Sequence, residues 1–205
     1  MRAASKSWLP IYAIAVFMVA MCPAPAEAHL VSSGMGPIYD GLTHFLMSPE
    51  DLVPVLALAL LAGLRGSAYG RRALFVLPAA WLMGGLAGLA AATVNANAVQ
   101  TAITFLLLGG LVVMDARLSV RATTALAALL GLYHGYLNGA GMGQAGAASV
   151  ALLGLVFAVF VLVALAAALV VQLQAAWARI AVRVVGSWIV ASGLLMLGWS
   201  LRGKL

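Results

Sequence analysis

The sequence predicts an all-α fold: a polytopic membrane bundle of six transmembrane helices after a cleaved signal peptide. Three observations predict it. Of 205 residues, 65% are hydrophobic and only 8% are charged, whereas a soluble domain carries about 25% charged residues. Six apolar runs, near 50–65, 73–93, 98–115, 121–138, 147–172 and 179–201, are separated by short polar breaks, and an open chain in lipid satisfies its own backbone only as helix. Arginines recur in alternate breaks, which is an orientation signal. The expected division is a signal peptide over 1–28 and a six-helix transmembrane domain over 29–205.

The N-terminus supplies the first segment. Arg2 and Lys6 precede a short apolar stretch from Ile11 to Met21, and Ala26-Glu27-Ala28 forms an Ala-x-Ala cleavage site. Cleavage there makes His29 the mature terminus, where a free amine beside its own imidazole is a reasonable transition-metal chelate. Retention as an anchor and lipidation at Cys22 are the alternatives, although Met21 is bulky for the latter. Cys22 is the only cysteine, which excludes an intrachain disulfide.

The first apolar run is preceded by Tyr39 to Asp51, a stretch rich in titratable groups for so apolar a chain: Asp40, His44, Glu50 and Asp51. Such groups at a membrane boundary are costly and call for a reason. Ser48-Pro49-Glu50-Asp51 reads as a helix start, with Ser48 as N-cap, Pro49 at the first helical position and two acids in the first turn. That leaves Asp40 and His44, which share one helical face if residues 38–47 are helical. The run itself is short: sixteen residues rise ~24 Å against a ~30 Å hydrocarbon core. Pro54 within it cannot donate to the Glu50 carbonyl.

Loop charges orient the bundle. Arg65, Arg71 and Arg72 follow the first span, Arg117 and Arg121 the third, Arg179 and Arg183 the fifth. These loops are expected to be cytoplasmic and the mature N-terminus periplasmic, in a bacterial inner membrane, with Arg202 and Lys204 a mild exception. His44, Glu50 and Asp51 then open the first span at the outer face. His134 and Asn138, four residues apart, lie near the outer end of the fourth, and Asn95 and Asn97 form an outer turn. Asp115, beside Arg117, reads as a boundary charge. Gly131, Gly135, Gly139 and Gly143 recur every four residues, and Gly84 and Gly88 repeat the spacing, as close helix packing in lipid requires. The fifth span, rich in Ala, Val and Leu, reads as lipid-facing or scaffold.

Several chemistries have no basis here. No Gly-x-Ser-Gly is present, no lysine lies in a span to carry a retinal Schiff base, and no phosphate loop or pair of facing mid-membrane histidines occurs. No nucleophile–base pair is visible, so an enzyme is not expected. The net charge of +6 is spread over short loops and does not indicate nucleic-acid binding.

The combination of a signal, a mature end at histidine, six spans and a histidine-plus-acid segment opening the first of them resembles the HupE/UreJ family. Its first signature is roughly His-Pro-x-x-Gly-x-Asp-His. Across His44 to Asp51 the leading histidine is kept, Ser48 replaces the glycine, Glu50 the acid and Asp51 the closing histidine. Its second is roughly Phe-His-x-x-x-His-Gly-x-Glu. Across Tyr133 to Gly141, His134 and Gly139 are kept, Asn138 stands for the second histidine and Gly141 for the glutamate. The resemblance implies a permease for a divalent ion, nickel or cobalt, taken as substrate with no permanently bound cofactor. It implies ligands among His44, Glu50, Asp51, His134 and Asn138, and Asp40 and His29 are further candidate ligands. His44 and His134 are expected at similar depth, close enough to share one ion with Glu50 or Asp51 compensating charge. Expected partners are the lipid bilayer and the divalent metal ion, with no nucleic acid. A homo-oligomer or metalloenzyme maturation partners also fit, and a non-transporting accessory protein for metalloenzyme assembly is the alternative function.

Overall fold

The computed structural model describes residues 33–91, 97–143, 148–173 and 175–202. The expected signal peptide, Cys22, His29 and Asn95 lie outside the described residues. Among these residues the chain forms seven helices and no strand: α1 (Pro37–Met47), α2 (Pro49–Arg65), α3 (Ser67–Leu89), α4 (Ala98–Val113), α5 (Val120–Met142), α6 (Ala148–Gln172) and α7 (Ala176–Arg202). Each expected apolar run falls on one of α2 to α7, and α1 is an added helix over the segment that precedes them.

The shortest expected span is the centre of the bundle. α2 contacts every other helix, and its buried residues run almost without interruption from Pro54 to Leu64. A helix that is apolar all round is stable only when enclosed. α3 packs along α5, α6 stands against α1, α2 and α3, and α4 and α7 pair with each other and join the rest through α2. α6 is therefore scaffold on one face, with Leu153, Phe157 and Leu165 exposed on another.

The glycine spacing works as backbone-to-backbone contact. A Cβ at Gly135 would overlap the carbonyl of Trp81, and one at Gly139 the carbonyl of Gly85; Gly84 and Gly88 meet the carbonyls of Leu132 and Tyr136 in return. Gly41 and Gly154 hold α1 on α6 in the same way.

α1 and α2 meet at a 75° bend. Ser48 ends one helix and begins the next: its N–H donates to the Phe45 carbonyl at 3.3 Å, and its own carbonyl accepts from Asp51 and Leu52 at 3.0 and 2.9 Å. Pro49 occupies the first turn as expected, but the Ser48 hydroxyl makes no capping hydrogen bond. That part of the helix-start reading is corrected, because the serine backbone already serves both helices.

Among the described residues three helices, α3, α6 and α7, are long and apolar enough to cross a membrane, and a fourth span arises if the bent α1–α2 pair counts as one. This is fewer than the six expected. α4 has only 16 residues, and α5, with 23, carries His134, Asn138 and a glycine face in place of continuous apolar residues.

One end of the bundle is tied by charge. Asp115, just past α4, accepts from Arg65 of α2 and from Arg179 of α7, the latter at 2.9 Å. It does not pair with Arg117, its neighbour in sequence. Asp115 has φ 48, a left-handed turn that Asp tolerates, and its carboxylate faces α2 and α7. Burial pushes its pKa up, but hydrogen bonds and charges from Arg179 and Arg65 outweigh that and hold it below the ordinary carboxylate range. Nearby, Tyr69 donates to the Leu118 carbonyl at 3.3 Å. The junctions after α2, α4 and α6, where seven of the arginines cluster, thus gather at one end.

Candidate metal-ion site

The opposite end of α2 carries the other polar group. Asp51 lies in its first turn, fourteen residues before Arg65, a rise of ~21 Å. α5 presents His134 and Asn138 one turn apart on the face turned toward α2. The bend at Ser48 swings α1 away from the α2 axis, so that His44, in its last turn, reaches the same place.

Four side chains are joined there. His134 Nδ1 lies 2.7 Å from Asp51 Oδ1. Asn138 Nδ2 donates to Asp51 Oδ2 at 2.8 Å and to the His134 carbonyl at 2.9 Å. His44 Nε2 lies 3.1 Å from Asn138 Oδ1. Asp51, His134 and Asn138 are 4%, 3% and 8% exposed, so the bonds run in low dielectric, where each counts for more. A buried carboxylate there is held by donors on both oxygens.

Trp81, fully buried on α3, forms one wall. Its ring lies 5.6 Å from that of His134, tilted by 33°, and Tyr133 stands edge-on to the same imidazole at 5.2 Å. Phe45 packs edge-on against Trp81 at 6.0 Å. Two nitrogens in this group, His134 Nε2 and Trp81 Nε1, are buried without a hydrogen-bond partner among the described residues. Buried nitrogens are normally partnered, so each is a polar atom left over by the packing of this group.

The structure brings together His44, Asp51, His134 and Asn138. It does not bring in Glu50 or Asp40. Glu50 is half-buried one position from Asp51 on α2, where the helical turn points it elsewhere, and it makes no hydrogen bond among the described residues. Asp40 shares α1 with His44 but accepts from the Ser33 N–H at 2.5 Å, which holds the incoming chain. Asn97 caps α4 by accepting from the Val99 N–H. Among the described residues no three His, Cys, Asp or Glu side chains are arranged to hold a metal by themselves. Trp81 was not expected at the site. Its signal was the glycine register: Trp81, Gly84 and Gly88 stand at positions i, i+3 and i+7 of α3, and Gly84 and Gly88 meet the Gly135 helix.

The family model of the HupE / UreJ protein matches residues 16–196. The chain belongs to the HupE/UreJ family. HupE/UreJ proteins form a membrane family associated with nickel or cobalt transport or with urease and hydrogenase maturation. Both signatures quoted above map onto the cluster, since His44 to Asp51 crosses the α1–α2 bend and Tyr133 to Gly141 lies on α5. With its apolar helices, this HupE/UreJ chain is a multi-pass membrane protein. No curated protein and no solved structure matches it significantly.

Proposed function

We propose that this HupE/UreJ protein is a permease for a divalent first-row ion, nickel or cobalt, which it recognises at the buried cluster of His44, Asp51, His134 and Asn138. The observation that carries the reading is the unpartnered His134 Nε2 beside an Asp51 carboxylate at one end of the enclosed α2. An imidazole nitrogen is a borderline donor suited to nickel, cobalt and zinc. The arginine-rich junctions at the far end support a periplasmic placement of the site through the positive-inside rule.

Uptake of labelled nickel or cobalt by cells producing the protein, normalised to its abundance in the membrane, tests this. His44→Ala and His134→Ala are each expected to abolish the uptake, with the double variant no worse than either. Uptake unchanged in both sinks the reading.

A second reading, a non-transporting accessory protein for metalloenzyme assembly, is favoured by one observation. The cluster's hydrogen bonds are largely satisfied internally, and no three classical ligands converge among the described residues. In that case alanine at either histidine lowers abundance and leaves no uptake difference per molecule.

A further inference from the structure

The hydrogen bonds of the cluster constrain which atoms donate and which accept, starting from Asn138. Its amide nitrogen faces the Asp51 carboxylate and the His134 backbone carbonyl. An ionised carboxylate and a carbonyl are acceptors only, so the amide cannot be reversed, and Oδ1 must face His44. An amide oxygen has no hydrogen to give, so His44 Nε2 carries one. Asp51 Oδ1 likewise accepts, so His134 carries its hydrogen on Nδ1. In a neutral imidazole one nitrogen is then a donor and the other a bare lone pair. For a neutral His134 that atom is Nε2, the nitrogen left buried and unpartnered among the described residues.

We propose that Asp51 and Asn138 are positioning residues: they hold His134 in its Nδ1–H form and His44 in its Nε2–H form, so that His134 Nε2 and His44 Nδ1 are the atoms offered to a divalent cation. Asp51 acts through His134 and does not itself bind the ion. This rests on the transport reading for its ligand, and it assigns the roles within that site. A carboxylate behind a ligating imidazole fixes ring orientation and raises the basicity of the free nitrogen. Trp81 lies against the His134 ring and limits its rotation.

Asp51→Asn isolates the role. If its new amide nitrogen faces Asn138, two donors meet. If it turns toward His134, it donates to Nδ1 and drives the ring into the opposite form, with hydrogen on Nε2. The same substitution in serine proteases keeps the geometry and leaves the wrong tautomer.

The test is nitrogen NMR of the histidine-labelled full chain in detergent, free of metal, followed by titration with nickel. Wild-type protein is expected to show His134 bare at Nε2 and His44 bare at Nδ1. Asp51→Asn is expected to move the His134 hydrogen to Nε2 and weaken nickel binding roughly ten- to hundredfold, and Asp51→Glu to restore part of the binding. A wild-type His134 protonated on Nε2 overturns the assignment, and this measurement needs no variant to fold. A folded Asp51→Asn protein that keeps the wild-type tautomer also overturns it. Failure of the transport reading looks different: wild-type protein then binds neither nickel nor cobalt, while the tautomers are decided without any ion.

Discussion

At the scale of single residues, Asp51 is the group on which the cluster depends. It holds His134 and Asn138 from α5 against α2 with two short bonds. Removing the His134 or Asn138 donor leaves a buried carboxylate oxygen unsatisfied, at ~1–3 kcal/mol. His134→Leu is therefore expected to lower thermal stability in detergent markedly. Asp51→Leu combined with His134→Leu should cost less than the sum of the two single changes; strict additivity in a double-mutant cycle would contradict the pairing. His44 and His134 were legible in the sequence because imidazoles are rare in so apolar a chain. Their grouping with Asp51 and Asn138 followed from spacing and family likeness. Trp81 was not legible, since an aromatic in an apolar run reads as packing. Nor was the division of labour between Glu50 and Asp51: adjacent acids differ by a third of a helical turn, and only the bundle shows which one faces inward.

At the scale of elements, backbone contact between α3 and α5 places the site. A methyl at Gly135 meets the Trp81 carbonyl, so Gly135→Ala is expected to destabilise by ~1–3 kcal/mol and to disturb the wall of the site. Gly110, on α4, has open space around it, and Gly110→Ala should leave stability unchanged or raise it by up to ~1 kcal/mol. Equal losses from both, measured by thermal melts, would contradict the packing. Helices α2 to α7 were legible because long apolar runs leave one solution in lipid. The bend at Ser48 was half legible: Pro49 marked the start of a helix, but a serine backbone serving two helices at 75° depends on α1 docking on α6 through Gly41 and Gly154, contacts distant in sequence.

At the scale of the molecule, α2 links two ends of different character: the imidazole cluster at Asp51 and the ion-paired junctions at Arg65. Asp115 was legible only as a boundary charge, because its partners Arg65 and Arg179 are fifty and sixty-four residues away. Its lowered pKa makes a stability contribution that is fully present above the ordinary carboxylate value of ~3.9 and is lost as the pH falls through the lower folded value. Wild-type melting temperature should therefore fall in that acid window, and Asp115→Asn should flatten the dependence while sparing uptake per molecule at neutral pH. Reporter fusions after Gly70 and Leu118 should read cytoplasmic. The most direct test of ion passage through the cluster uses the purified chain in vesicles enclosing a metal-sensing dye. Wild-type protein is expected to admit nickel or cobalt above protein-free vesicles, and His134→Gln, incorporated at the same level, is expected to admit neither; entry at the same rate through both, or through neither above the protein-free background, would contradict it.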